Sequence, residues 1–353
     1  MAQAGADRKL RVVMVGCGFF ARNHLMAWHH LEGAELVGVC DLDKSRAAAF
    51  AGLIAQAGNT PPAVFDDLAG MLDALRPDLV DVVTTMESHE ALVGICARKG
   101  VATICQKPFA PDLAAVRRIV ALAEQAGIPL MIHENFRFQG PMVQLRQALD
   151  QGVIGTPVAA RLSWRCGFDV FKGQPYLAKV ERLVLLDLVI HLFDLARFLF
   201  GDVDRILART QKVRPGIAGE DGAVCLLEHG GGVVSEVLGS YHTRIDPDPF
   251  PETLIRVDGT KGHLEVRQGY QLVIHGPDGV THRSIAPVAP DWGDPVWAMV
   301  QESVLNTQAH FLEAIRTGQE AATSAQDNEK TFALVEAAYR SSAEGRWVDL
   351  ATV

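Results

Sequence analysis

Asp187, His191 and Asp194 interrupt a run from Leu183 to Phe200 that is otherwise dominated by Leu, Val, Ile and Phe. On a helix, their i, i+4, i+7 spacing puts all three on one stripe. An imidazole with a carboxylate one turn away can act as a general base with its orienting partner. The same spacing suits a core histidine satisfied by an acid, and the run by itself favours that plainer reading. Lys107 adds a third kind of group. It follows the apolar run Ala102–Cys105 and precedes Pro108, which forces it into an extended conformation. An ammonium projecting at a strand end can bind an alkoxide or lower a hydroxyl pKa, although most lysines are simply solvated. Lysine and histidine together describe removal of a hydroxyl proton with stabilisation of the oxyanion.

A second set of residues binds rather than reacts. The stretch Val12–Asp41 reads as strand, glycine turn, helix, strand and acid. Its turn, Gly16-Cys17-Gly18-Phe19-Phe20-Ala21, is a G-x-G-x-x-A motif in the setting that motif requires. Gly16 permits the tight turn, and Gly18 lets the backbone approach a diphosphate. Ala21 is small enough for close helix–strand packing. The N–H groups at Phe19, Phe20 and the start of the helix suit an anion. Asp41 lies 25 residues after Gly16, where a carboxylate can accept from ribose hydroxyls. It favours NAD, since a 2′-phosphate would be repelled. The turn Thr84–His89 follows another strand, so Thr84, Ser88 and His89 are candidates to line the same cofactor; Ser88 also suits the cap of the next helix.

The elements that position these groups follow from apolar patterning. Strand-like runs at Leu10–Val15, Leu36–Cys40, Leu79–Val83, Ala102–Cys105 and Pro129–Ile132 alternate with helical segments at Ala21–Leu31, Ser45–Ala57, His89–Lys99 and Leu113–Ala126. This alternation predicts an α/β domain of Rossmann type over residues 1–133. Residues 134–353 read differently. Helices at Pro141–Asp150 and Leu183–Phe200 accompany strands at Val158–Arg165, Asp204–Lys212, Ala223–Leu227, Val233–Tyr241, Thr253–Asp258 and Gly262–Arg267. Helices at Val304–Arg316 and Gln326–Ser342, the latter capped by Ser324, follow. The prediction is an α+β domain with a large open, mostly antiparallel sheet.

Bulk properties exclude several classes. At 353 residues, the chain is long enough for two domains. A net charge of −9 argues against a nucleic-acid partner. No apolar run reaches the ~18 residues of a membrane span, and Met1–Lys9 lacks the apolar core of a signal peptide. Six scattered cysteines without C-x-x-C predict neither a disulfide framework nor a metal site, and point to a cytoplasmic location.

These motifs together resemble the glucose–fructose oxidoreductase, inositol dehydrogenase and rhizopine catabolism family, Gfo/Idh/MocA. The similarity covers nearly the whole chain: the glycine turn, Thr84–His89, Gln106-Lys107-Pro108, the Asp187–Asp194 helix and the ending Phe311–Gly318. The family pattern is Glu-Lys-Pro, so Gln106 removes a carboxylate near the nicotinamide. The resemblance implies NAD-dependent oxidation of a sugar or polyol hydroxyl, with Lys107, Asp187 and His191 as the catalytic residues. It adds Gln106, Lys107 and Asn135 to the cofactor residues and Lys107, Asn135, Asp187 and His191 to those touching substrate. The loop Trp164–Leu177 contributes Arg165, Asp169, Gln174 and Tyr176 to a sugar site. The resemblance further implies a homodimer or homotetramer, and leaves room for the last helix to pack back towards the first domain. Gly173–Leu177 and His133–Phe138 are similar to the D-apiose dehydrogenases of the family, which implies oxidation of a free branched pentose at its anomeric carbon. An NAD-dependent glycosidase of the same fold and a non-catalytic dinucleotide-binding regulator are the alternatives.

Overall fold

The computed structural model describes residues 8–353, so most of Met1–Lys9 lies outside the described residues. Strand and helix alternate through the first part of the chain: β1 (Leu10–Val15), α1 (Ala21–His30), β2 (Ala34–Cys40), α2 (Lys44–Gln56), β3 (Ala63–Phe65), α3 (Leu68–Leu75), β4 (Leu79–Val82), α4 (His89–Lys99), β5 (Ala102–Gln106), α5 (Leu113–Ala126) and β6 (Leu130–His133). The strands pair in parallel in the order β3-β2-β1-β4-β5-β6. Apolar residues on both faces of β1 and β4 require helices on both sides. Met14, Ala21, Leu25, Val39, Ala47 and Ile54 form the core on one of them. Gly100 and Gly127 end α4 and α5 at φ +68° and +64°. The sequence reading lacks β3 and α3; three half-exposed residues, AVF, carry little periodicity.

Asp43, Asp67 and Asp112 cap α2, α3 and α5. No side chain caps α1 or α4. Those two helices follow β1 and β4, the neighbours at which the strand order reverses. A doubly wound sheet receives ligands at that point.

The second sheet has nine strands: β7 (Pro157–Arg165), β8 (Val203–Gln211), β9 (Gly222–His229), β10 (Val234–Ser240), β11 (Leu254–Gly259), β12 (Gly262–Arg267), β13 (Gln271–Gly276), β14 (Gly279–Ser284) and β15 (Val348–Asp349). Their order is β14-β13-β12-β11-β7-β10-β9-β8-β15, and only β7 and β10 pair in parallel. Leu162, Cys225, Val237 and Ile255 are fully buried on one face, whereas Arg161, Leu226, Val234 and Arg256 are exposed on the other. The helices are α6 (Gly140–Asp150), α7 (Val170–Gly173), α8 (Ile190–Phe200), α9 (Ala298–Thr317) and α10 (Ala325–Glu344). Ser324 Oγ accepts the Asp327 N–H at 3.1 Å, the cap expected of it. β13 and β14 escape the sequence reading; β14 is exposed along its whole length.

The chain divides into two units. One holds the residues up to Glu134 and Val304–Glu329; the other holds Asn135–Ser303 and Lys330–Val353. The first unit thus takes in residues 304–329 from far along the chain. The reason lies at β6, an edge strand. Ile132 N donates to Thr323 O at 2.8 Å, and Thr323 Oγ1 donates to Ile132 O at 2.7 Å, so this segment covers the edge.

Among the described residues no helix is long and apolar enough to cross a membrane. All six cysteines are free and buried. Burial pushes the thiols of Cys17, Cys40 and Cys166 up to about 12 and that of Cys96 up to about 11, with Cys105 and Cys225 raised as well. The thiolate is the nucleophile, so at pH ~8 the folded protein should resist iodoacetamide. Mass spectrometry should find no alkylated cysteine in the native protein and all of them after unfolding. Modification of the native chain would contradict this burial.

Candidate active site

The glycine turn has the geometry its sequence demands. Gly16 has φ +100°, and a Cβ there would collide with the Val83 carbonyl at the end of β4. Gly18 differs: a Cβ would meet nothing within 4 Å, so the space beside it is open. Phe19 is 65% exposed, and the first turn of α1 carries no acid. At the end of β2, Asp41 Oδ2 accepts Cys17 N–H at 2.9 Å and Oδ1 accepts Asp43 N–H at 2.9 Å. Each oxygen retains capacity for a hydroxyl donor. An open glycine turn, an uncapped helix and a pinned carboxylate fit a dinucleotide's diphosphate and ribose.

The end of β4 corrects one expectation. Ser88 leaves α4 uncapped; its hydroxyl turns back towards Thr84 Oγ1 at 2.7 Å. His89 is fully buried, with its ring nitrogens 3.1 Å from Phe109 O and 3.2 Å from Thr84 O. Burial pushes its pKa down. The buried imidazole ties two loops together. Gln106 also turns inward. It is 7% exposed, its Oε1 accepts Lys107 N–H at 2.7 Å, and its Nε2 lies 3.0 Å from His24 Nε2. Lys107 itself stands half-buried at the strand end.

In the other unit, His191 is 5% exposed and stacks face to face on Phe136, with ring centroids 4.1 Å apart and an interplanar angle of 2°. A π turn over Leu185–Val189 carries Asp187, and α8 directly after it carries His191 and Asp194. Such wide turns occur often at functional sites. Asp187 Oδ2 accepts the Tyr241 hydroxyl at 2.7 Å. Burial, then the charge of Asp187, push the Tyr241 pKa well up, so it remains a donor. Asp194 is structural. Arg137 grips it with Nε at 2.8 Å and Nη2 at 2.5 Å, and it is fully buried. Removing one partner of such a pair costs about 3–5 kcal/mol.

The residues predicted for a sugar site have partners within the fold. Asp169 lies 3.0 Å from an Arg214 guanidinium nitrogen, and Arg165 Nε donates to Ser163 Oγ at 3.1 Å. Gln174 and Tyr176 meet through the tyrosine hydroxyl at 2.9 Å, and Tyr176 is 56% exposed. Asn135 is 6% exposed and donates one amide N–H to Ser303 Oγ at 2.6 Å.

Tyr241, Phe136 and Arg137 have no signal of role in the sequence. The buried acid Asp81 does: a carboxylate within the apolar strand Leu79–Val82 must find partners. Tyr241 leads to an expectation. Tyr241→Phe removes the donor to Asp187, and the maximal rate should fall about tenfold with NAD affinity unchanged. Steady-state kinetics on both ligands would test this; an unaltered rate would detach Tyr241 and Asp187 from the chemistry.

Comparison with known proteins supplies the family. Residues 10–134 match the oxidoreductase family with an NAD-binding Rossmann fold, and residues 142–265 match the GFO/IDH/MocA C-terminal domain. The D-apiose dehydrogenase of Paraburkholderia graminis is 48% identical over 97% of this chain and 90% of that protein. That of Rhizobium rhizogenes is 45% identical over 97% of this chain and 98% of that one. An oxidoreductase from Agrobacterium radiobacter, crystallised with NAD+, L-tartaric acid and magnesium, superposes with a TM-score of 0.93 at 45% identity, covering 98% of this chain and 99% of that one. The chain belongs to the GFO/IDH/MocA oxidoreductases and is an NAD-dependent dehydrogenase acting on the CH–OH of a sugar or polyol.

Proposed function

We propose that this enzyme oxidises free D-apiose at its anomeric hydroxyl, giving the lactone. One observation carries the substrate: two relatives similar along nearly their whole length, at 45% and 48% identity, are D-apiose dehydrogenases. His191 removes the hydroxyl proton, and Asp187, steadied by Tyr241, orients the imidazole or relays the proton. Lys107 stabilises the oxyanion that develops as the proton leaves. Bound NAD supplies the hydride acceptor, and the Gly16–Ala21 turn and Asp41 are the residues that hold it. Absorbance at the NADH band, with D-apiose beside other aldoses, polyols and glycosides, tests the reading. D-apiose should have the highest kcat/KM. Glycoside cleavage without net NADH would favour a glycosidase, and binding without any turnover a regulator.

Cofactor choice rests on Asp41, with Arg46 Nε 3.3 Å from Asp43 and 3.8 Å from Asp41. A fixed carboxylate repels a 2′-phosphate. Serine cannot hold both the Cys17 and Asp43 amides, so Asp41→Ser should narrow the preference for NAD over NADP by about tenfold. The ratio of kcat/KM values measures it. A wild type faster with NADP would end this reading of Asp41.

The six reduced, buried thiols support a cytoplasmic setting. The open sheet face, where Leu226 is 36% and Val234 43% exposed, supports assembly as a homodimer or homotetramer. Light scattering that finds only monomers would refute the assembly.

A further inference from the structure

At the end of β5 begins a row of buried polar side chains that no step above uses. Asp81, in β4, is fully buried. Its Oδ2 lies 2.7 Å from His24 Nδ1 and accepts from Trp28 Nε1 at 2.6 Å and Gln308 Nε2 at 3.3 Å. His24, also fully buried, has its Nε2 3.0 Å from Gln106 Nε2. Gln106 Oε1 in turn lies 2.7 Å from Lys107 N. The His24 ring packs on His133, centroids 4.2 Å apart, and against the edge of Phe20 at 5.6 Å.

The last member of the row sets the direction of every bond. A backbone N–H can only donate, so the oxygen of the Gln106 carboxamide faces Lys107. The NH2 group then faces His24, whose Nε2 must accept. His24 is accordingly neutral, with its proton on Nδ1 and directed at Asp81. Asp81 receives three N–H groups, as suits a carboxylate.

We propose that Gln106 is a positioning residue for hydride transfer: its one-way hydrogen-bond chain to a neutral His24 and Asp81 fixes the peptide from which Lys107 projects. The inference rests on the catalytic role proposed for Lys107. Two features suit the row to this task. His24 and Trp28 belong to α1, the helix that opens the glycine turn, so the anchor of the ammonium is tied to that helix. Bonds in series also polarise and stiffen one another. An ionised glutamate, the residue of the family pattern, cannot complete this row with a neutral His24. Its carboxylate accepts Lys107 N–H but offers no proton to Nε2. In Gln106→Glu the second bond survives only if one more proton enters the row, on His24 or on the new carboxyl.

The test combines kinetics and spectroscopy. Gln106→Met breaks both bonds at nearly constant length. It should lower kcat about tenfold and leave the KM for NAD within about twofold. Added to Lys107→Met, it should cause no further loss. A wild-type kcat in Gln106→Met, or the same loss in both backgrounds, overturns the proposal alone. Full turnover by Lys107→Met ends the reading of Lys107, and this inference with it. Nitrogen NMR of ring-labelled histidine gives a second readout that needs no turnover and serves if Gln106→Met does not fold. His24 should be neutral and protonated on Nδ1 in the wild type. An imidazolium in the wild type, or a neutral ring with its proton on Nε2, refutes the chain.

Discussion

In Lys107→Met the maximal rate should fall by ~10²-fold or more while NAD still binds. The size follows from what the ammonium does. Charge grows on the substrate oxygen only as its proton leaves, so a fixed cation there stabilises the transition state more than the bound substrate. A hundredfold loss corresponds to about 2.7 kcal/mol. Methionine keeps the length of the side chain and removes only the charge and its donors. The residues proposed to hold the diphosphate and ribose, Gly16 to Ala21 and Asp41, lie elsewhere on the same sheet, so NAD affinity should change little. Stopped-flow hydride transfer with titration of NAD separates the two effects. A solvated lysine predicts near-normal turnover, and that outcome would remove Lys107 from the mechanism.

What was legible in the sequence depended on whether a residue's role is set by its neighbours. Gly16, Ala21 and Asp41 answer to local backbone demands: a positive φ, close packing and a strand end. The apolar runs of β1, β4 and β5 likewise announce a sheet buried on both faces. Lys107 could be placed because a strand ends beside it. Asp194 could not be judged, because its partner, Arg137, lies 57 residues away and converts a candidate acid into a clamp. Asn135 meets Ser303 across 168 residues. The π turn at Leu185–Val189, which carries Asp187, leaves no mark on the hydrophobic pattern. Gln106 had a readable departure from the family pattern. Its consequence, a carboxamide turned inward to His24, depends on a helix residue 82 positions earlier.

The largest effect should come from His191→Asn: single-turnover hydride transfer should fall by ~10²–10⁴-fold, the range of general acid–base catalysis. Burial complicates the assignment. His191 is 5% exposed, lies in an apolar helix and stacks flat on Phe136, all of which a purely structural histidine would do. The two roles differ in which quantity they move. A core histidine contributes packing, so its replacement lowers the melting temperature while each folded molecule turns over normally. A catalytic base contributes to the barrier, so the folded fraction itself becomes slow. Asparagine is smaller than histidine and weakens the stack on Phe136, so some loss of stability accompanies either role. The decisive number is therefore the rate per folded molecule, read from hydride transfer normalised by NAD-binding sites on the same sample. Asp187→Asn adds a check, because it leaves the Phe136 stack untouched and removes the carboxylate that Tyr241 holds. If Asp187 orients or relays for His191, the loss in Asp187→Asn should be absorbed when His191→Asn is already present, as it is for residues that act as one unit. Full-rate hydride transfer from a destabilised His191→Asn would return the residue to the core.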